Sequence, residues 1–191
     1  MSPAPASGIL RAVDAVEYLL FIPLLIYGIV LSQLLAQWRR LFDFANWHWP
    51  YIVTIVVFTE IAIWNIYTFL DVFAERPTHS YLSYLIDLTL PFTLLLSVNA
   101  LVKDDNGDGL VDPEEFARRM GLSYFLCGCF IGLHLLPQFR IDEGLWQTQL
   151  PAIGVAFATA YFKKNWLVYL LGAIWVVSIV QRVGIPGWAG T

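Results

Sequence analysis

Long apolar runs, separated by short charged stretches, dominate this chain of 191 residues. The first, about 16–36, reads VEYLLFIPLLIYGIVLSQLLA; the others cover about 50–73, 81–102, 121–139, 150–162 and 165–180. A hydrocarbon core of about 30 Å is crossed by roughly 20 mostly apolar residues in a helix. The patterning therefore predicts an all-α fold, a polytopic transmembrane helix bundle of about six spans forming a single integral-membrane domain over 1–191. The fifth run is the weakest, because it is short, begins near Pro151 and stops at Lys163-Lys164. A re-entrant or shallow segment is the alternative there. Only 14% of residues are charged, against about 25% in soluble domains, so a water-facing surface cannot be built around so much apolar chain. A net charge of −4 carries no polyanion-binding footprint, which excludes a nucleic-acid partner. The expected partner surface is the lipid bilayer.

Arg11 is followed by Asp14 and Glu17, with no small-residue cleavage site after the first run, so the N-terminus is not read as a signal peptide. Trp38, Trp47, Trp49, Trp146, Trp166 and Trp188 fall near run ends, as an interfacial aromatic belt requires. Lys and Arg in the short loops set orientation. Arg39, Arg40, Lys103, Arg118, Arg119, Lys163 and Lys164 share one side, and Arg11, Arg76, Arg140 and Arg182 the other. Seven against four puts the loop after the third span in the cytoplasm and both termini outside. Ile26-Tyr27-Gly28 and the paired Arg39-Arg40, followed by a Trp-rich second span, resemble small multi-pass bacterial membrane proteins, which implies an inner (plasma) membrane location but no activity.

Between the third and fourth runs stands Asp104-Asp105-Asn106-Gly107-Asp108-Gly109-Leu110-Val111-Asp112-Pro113-Glu114-Glu115. It matches D-x-[DN]-x-[DN]-G-x5-E without a gap. Calcium takes six to eight hard oxygen ligands in a flexible shell. Asp104, Asn106 and Asp108 alternate so that their side chains can converge, and Gly109 permits the sharp turn. The segment resembles the EF-hand calcium loop. The resemblance implies Ca2+ as ligand, with Leu110 offering its carbonyl, Asp112 binding directly or through water, and Glu115 closing the shell with two oxygens. It also implies core positions at Phe116 and Met120 on the exiting helix. Asp112, Pro113 and Glu115 suit a helix start as cap, first-turn proline and third-position acid. The family's aromatic before the loop is missing, since Lys103 follows Val102. EF-hands work in pairs, and this chain has one such loop. The alternatives are weaker binding by a lone loop or a homodimer in which it pairs with the same loop of a second subunit.

Ionisable groups at bilayer depth cost at least roughly 2.5–3.5 kcal/mol, so each is a functional candidate. Glu60 and Asn65 lie in the second run, Asp87 in the third, just before Pro91, and His134 late in the fourth. Helix directions put Asn65, Asp87 and His134 at similar depth, with Glu60 about 7 Å deeper. Such a layer can form an intramembrane cation or proton path; the alternative is a buried hydrogen-bond cluster in which these groups pair with one another or with Tyr67 and Tyr84. Cys127 and Cys129 point about 200° apart on a helix and cannot chelate one metal. Gly121, Gly128 and Gly132 beside them suit close helix packing. The three histidines, His48, His79 and His134, do not share one depth as a haem pair would. No nucleophile–base arrangement, phosphate loop or zinc-protease motif is visible, so the chain is not expected to be an enzyme. Two functions fit these features: a calcium-regulated cation channel or transporter, and a calcium-binding structural or signalling membrane subunit without transport.

Overall fold

The computed structural model describes residues 7–42, 47–74, 80–102, 112–136 and 146–183. Among them are six helices and no strand: α1 Ser7–Leu41, α2 Trp49–Ala74, α3 Tyr81–Leu101, α4 Pro113–Leu133, α5 Trp146–Phe162 and α6 Asn165–Val183. The windows Leu19–Arg39, Trp49–Phe69 and Tyr81–Leu101, 21 residues each, are long and apolar enough to cross a membrane. At 1.5 Å per residue such a helix reaches about 31 Å. α4 is as long, but Glu114, Glu115, Arg118 and Arg119 occupy its first two turns. α5 has 17 residues, and the apolar part of α6, Asn165–Gln181, is equally short.

Local chemistry explains the ends. Ser80 caps α3 in a reciprocal capping box with Ser83, 3.1 and 3.0 Å, so the N–H groups of the cap and of Ser83 are both satisfied at the exposed start of the helix. The cap of α4 is Asp112, whose Oδ1 accepts from Glu114 N at 2.9 Å, and Pro113 occupies the first turn, as the sequence suggests. α4 stops at Leu133 with His134 as its C-cap, short of the expected end at 139. Pro137 accounts for this, because a proline disfavours helical backbone in the residue before it.

Close neighbours are α1 with α2 and α3, α4 with α3 and α5, and α6 with α5 and α2, which closes a ring in the order α1, α3, α4, α5, α6, α2. Across it, α2 and α4 meet through long side chains: Phe58 lies against Tyr124, and Tyr51 against Phe116. Tyr51, Thr54, Phe58, Ile61 and Asn65 repeat at three- and four-residue intervals, one stripe of a 3.6-residue helix, and all are buried. Val53 and Val57 lie on another face, against Gly172 of α6. The outward faces are apolar too. Phe21, Leu25, Ile63, Leu82, Phe92, Leu122 and Val176 are exposed, an arrangement that suits lipid and costs free energy in water.

Short polar side chains tie the helices where they touch. Ser97 Oγ donates to the Ser123 carbonyl at 2.8 Å and Ser123 Oγ to the Ser97 carbonyl at 2.9 Å, which fixes the antiparallel register of α3 and α4. Tyr51 donates to Gln37 at 2.8 Å and Trp38 to Thr59 at 3.1 Å, joining α1 to α2. Gly121 and Gly128 fulfil the expected packing role: a Cβ there would come 3.1 Å from Lys163 Cε and 3.0 Å from the Phe157 ring. Gly132 has open space beside it.

Candidate functional site

Two groups of polar residues stand out, one at each end of α4. The first surrounds the exit of the calcium-like loop. Of the expected ligands, Asp104, Asn106, Asp108 and Leu110 lie outside the described residues, and Asp112 and Glu115 lie within them. Asp112 is exposed and caps α4. Glu115 Oε1 accepts from Arg119 Nε at 3.2 Å and Nη2 at 3.0 Å, with Arg118 Nη2 3.6 Å away. The third nitrogen of Arg119, Nη1, donates to the Val102 carbonyl at 3.0 Å. Val102 caps the end of α3, so one guanidinium holds the C-cap of α3, two residues before the loop, and the last residue of the loop together. This rigid fork matches the geometry of its partners in a way a lysine could not. The Glu115–Arg119 spacing of four residues was readable as a helix ion pair; the reach to Val102 had no signal in the sequence.

Behind that fork, Phe116 and Met120 are buried, as the EF-hand resemblance implies. Phe116 sits edge-on between His48 and Tyr51, with ring centroids 5.2 and 5.7 Å away. Through Tyr51 and Gln37 the first turn of α4 thus reaches α2 and then α1. Burial holds the His48 ring below its ordinary pKa, because the charged form loses solvation there.

The second group lies near the other end of α4. His134 Nε2 is 2.9 Å from Asn65 Oδ1, and Nδ1 is 3.0 Å from the Phe130 carbonyl. Asn65 Nδ2 donates to the Ile61 carbonyl at 2.8 Å. Asp87 on α3 is buried. The Ser97–Ser123 contact gives its level: ten residues back along α3 and ten forward along antiparallel α4 are each about 15 Å, so Asp87 stands at about the height of Leu133. Asn65 and His134 are in contact, and Asp87 lies at a similar height on α3. Glu60, which the sequence places about 7 Å deeper, has a partner on another helix. Five residues from Asn65 it points about 140° away, toward α6, where its Oε2 accepts from Trp175 Nε1. Trp175 had been legible only as one more aromatic in an apolar run. Tyr67, an expected partner, is exposed.

Cys127 is buried and Cys129 half-buried on the diverging directions their spacing dictates, and both are free thiols. His79 lies outside the described residues. Among the described residues no three or more His, Cys, Asp or Glu side chains are placed to hold a metal ion. Compared with known proteins, the chain matches no family model, and no curated protein or solved structure is significantly similar to it.

Proposed function

We propose that this chain is a six-span membrane protein of a bacterial inner membrane that binds calcium at 104–115 and passes occupancy of that loop to α3 and α4. The observation that carries this is the ungapped match of Asp104–Glu115 to a calcium loop, set directly between two helices. Several features of the loop's exit support it. Asp112 starts α4 as an EF-hand exit does, and Phe116 and Met120 anchor that helix in the core. Arg119 ties Glu115 to Val102, so recruiting Glu115 to a calcium ion would pull on the same guanidinium that holds the end of α3. EF-hand sensors change the angle of their flanking helices by tens of degrees on binding; here those helices run into the bilayer. The excess of Lys and Arg on the loop's side makes that side cytoplasmic, where free calcium is low enough for occupancy to change.

Calcium titration of the purified protein tests the proposal, with Asp104→Ala and Glu115→Gln as controls. Saturable binding lost in both variants is the expected result; no saturable binding in the wild type sinks it. Label-to-label distances between α3 and α4, with calcium and with chelator, test the coupling, and unchanged distances exclude it.

A calcium-regulated cation channel or transporter is favoured over a non-transporting subunit by one observation, the convergence of Asn65, Asp87 and His134 from three helices on one level. Calcium-dependent cation flux in proteoliposomes, reduced in Asp87→Asn, is the expected outcome. Flux that is absent, or equal in wild type and variant, leaves the subunit role.

A further inference from the structure

We propose that the turn joining α5 to α6, with the adjoining face of α4, binds the phosphate of an anionic phospholipid. Only Lys163 and Lys164 stand between the two helices, and both are exposed. Lys163 closes α5 in the left-handed region, φ 51°, its N–H donating to the Thr159 carbonyl at 2.9 Å. That place after a helix suits glycine, because a side chain there is strained. The lysine there reaches α4: its stem crosses Gly121, where a Cβ would come 3.1 Å from Lys163 Cε and 3.6 Å from Nζ. Three residues back, Arg118 opens a stripe of α4 that continues through Leu122 and Phe125, and all three are exposed. Gly121 points about 60° from Arg118, toward α5, so Lys163 flanks the charged end of that stripe.

The height of these charges matches a lipid headgroup. The apolar windows of α2 and α3 begin at Trp49 and end at Leu101. Thr54 meets Tyr124 and Ser97 meets Ser123, so both limits fall at about the height of Arg119 on α4. Arg118 therefore stands at the edge of the hydrocarbon, and the Lys163 stem, against Gly121, lies about 3 Å to its apolar side. A stem packed on apolar surface with its ammonium at that edge is an arrangement that a lipid phosphate satisfies. Tyr161, Phe162 and Trp166, on either side of the two lysines, are exposed aromatics, as at a bilayer interface. Leu122 and Phe125 continue the stripe inward as an apolar track for an acyl chain, which a free phosphate ion would not use. Among the described residues no ion pair engages Lys163 or Lys164. Glu114 and Glu115 lie one turn of α4 beyond Arg118 on the watery side, and Glu115 is shared by Arg118, at 3.6 Å, and Arg119, at 3.0 Å. Residues 103–111 lie outside the described residues. The inference rests on the membrane-spanning part of the proposed function and not on calcium.

Native mass spectrometry of the full-length protein, delipidated and titrated with phosphatidylglycerol or phosphatidylcholine of the same acyl chains, tests the site. Retention of phosphatidylglycerol over phosphatidylcholine is the expected result. Lys163→Gln, which keeps most of the stem, and Arg118→Gln should each weaken phosphatidylglycerol binding about fivefold, the worth of one basic side chain at a lipid surface, and leave phosphatidylcholine unchanged. Lys163→Gly removes the charge and relieves the backbone, so lost preference without a lower melting temperature separates lipid recognition from folding. Should Lys163→Gly melt lower, Lys163→Gln and Arg118→Gln decide. Equal retention of the two lipids, or a preference untouched in Lys163→Gln or in Arg118→Gln, overturns the proposal. Inorganic phosphate that displaces phosphatidylglycerol at equal concentration overturns it too, since the site would then take a free anion. Retention of neither lipid overturns it together with the membrane-spanning role, whereas equal retention with calcium binding intact counts against this inference alone.

Discussion

The contact between Thr54, in the second turn of α2, and Tyr124, at the middle of α4, makes an asymmetric prediction. Thr54 Oγ1 donates its only proton to the Pro50 carbonyl at 2.7 Å, so the Tyr124 hydroxyl, 2.6 Å away, must be the donor to Thr54. Tyr124→Phe removes that donor and leaves Thr54 still bonded to Pro50. Its cost should lie near the modest net value of one hydrogen bond, about 0.5–1.5 kcal/mol, and measurements between membrane helices average about 0.6. Thr54→Val keeps the shape but strands a buried hydroxyl on Tyr124, 1% exposed, with no acceptor. That carries the desolvation penalty of an unmade bond, about 1–3 kcal/mol. Thr54→Val should therefore be the worse variant, and the double variant should cost less than the two single costs added, with a coupling of about 1 kcal/mol. Reversible unfolding in mixed micelles, followed by tryptophan fluorescence, measures all four proteins. If Tyr124→Phe equals or exceeds Thr54→Val, or if the costs add, the donor assignment is wrong.

Three further outcomes follow from the packing. Gly128→Ala drives a methyl into the Phe157 ring and should cost about 1–3 kcal/mol, whereas Gly132→Ala, with nothing within 4 Å, should gain up to about 1 kcal/mol in helix propensity; thermal melts in detergent compare them, and equal shifts would refute the α4–α5 contact. Ser97→Ala and Ser123→Ala should each lose one α3–α4 hydrogen bond, at about 0.5–1.5 kcal/mol, while Ser97→Leu should separate the helices and cost more; the same melts serve. His48 is held below its ordinary value of 6.5 by burial. Protons therefore bind the unfolded ring more readily, so its contribution is full above 6.5 and is lost as pH falls from there through the lower folded value. Hydrogen-exchange protection in the first turns of α4, corrected for the intrinsic pH dependence, should fall on acidification across that window, and His48→Phe should abolish the His48-dependent part.

Depth along the helices was legible from sequence, but direction around them was only partly so. Hydropathy located all six helices, and counting residues brought Asn65, Asp87 and His134 to one level, because the rise per residue hardly varies. Glu60 was counted into the same layer, although its 140° offset from Asn65 was computable; what could not be computed was that α6 would stand on that side and offer Trp175. Neighbour choice depends on which helices pack together, and apolar patterning says little about that when lipid and protein faces are both hydrophobic. The exit of the calcium-like loop was readable down to Asp112 as cap and Phe116 as core. The link of Phe116 to His48, and of Arg119 to Val102, joins residues far apart in the chain and leaves no spacing to detect.

The Arg119 fork bears on how strongly the loop would bind calcium under the proposed function. Bringing together the ends of a chain segment of about thirteen residues costs roughly 2 kcal/mol in chain entropy, on the scaling of closure with length. With Val102 and Glu115 already joined through one side chain, that cost falls to the folding of α3 and α4 and not to the arrival of an ion. Excised as a peptide, 100–120 would have to meet it at each binding event, about a thirty-fold penalty in affinity. If 104–115 binds calcium as proposed, α3 and α4 supply the closure that a paired loop otherwise gives.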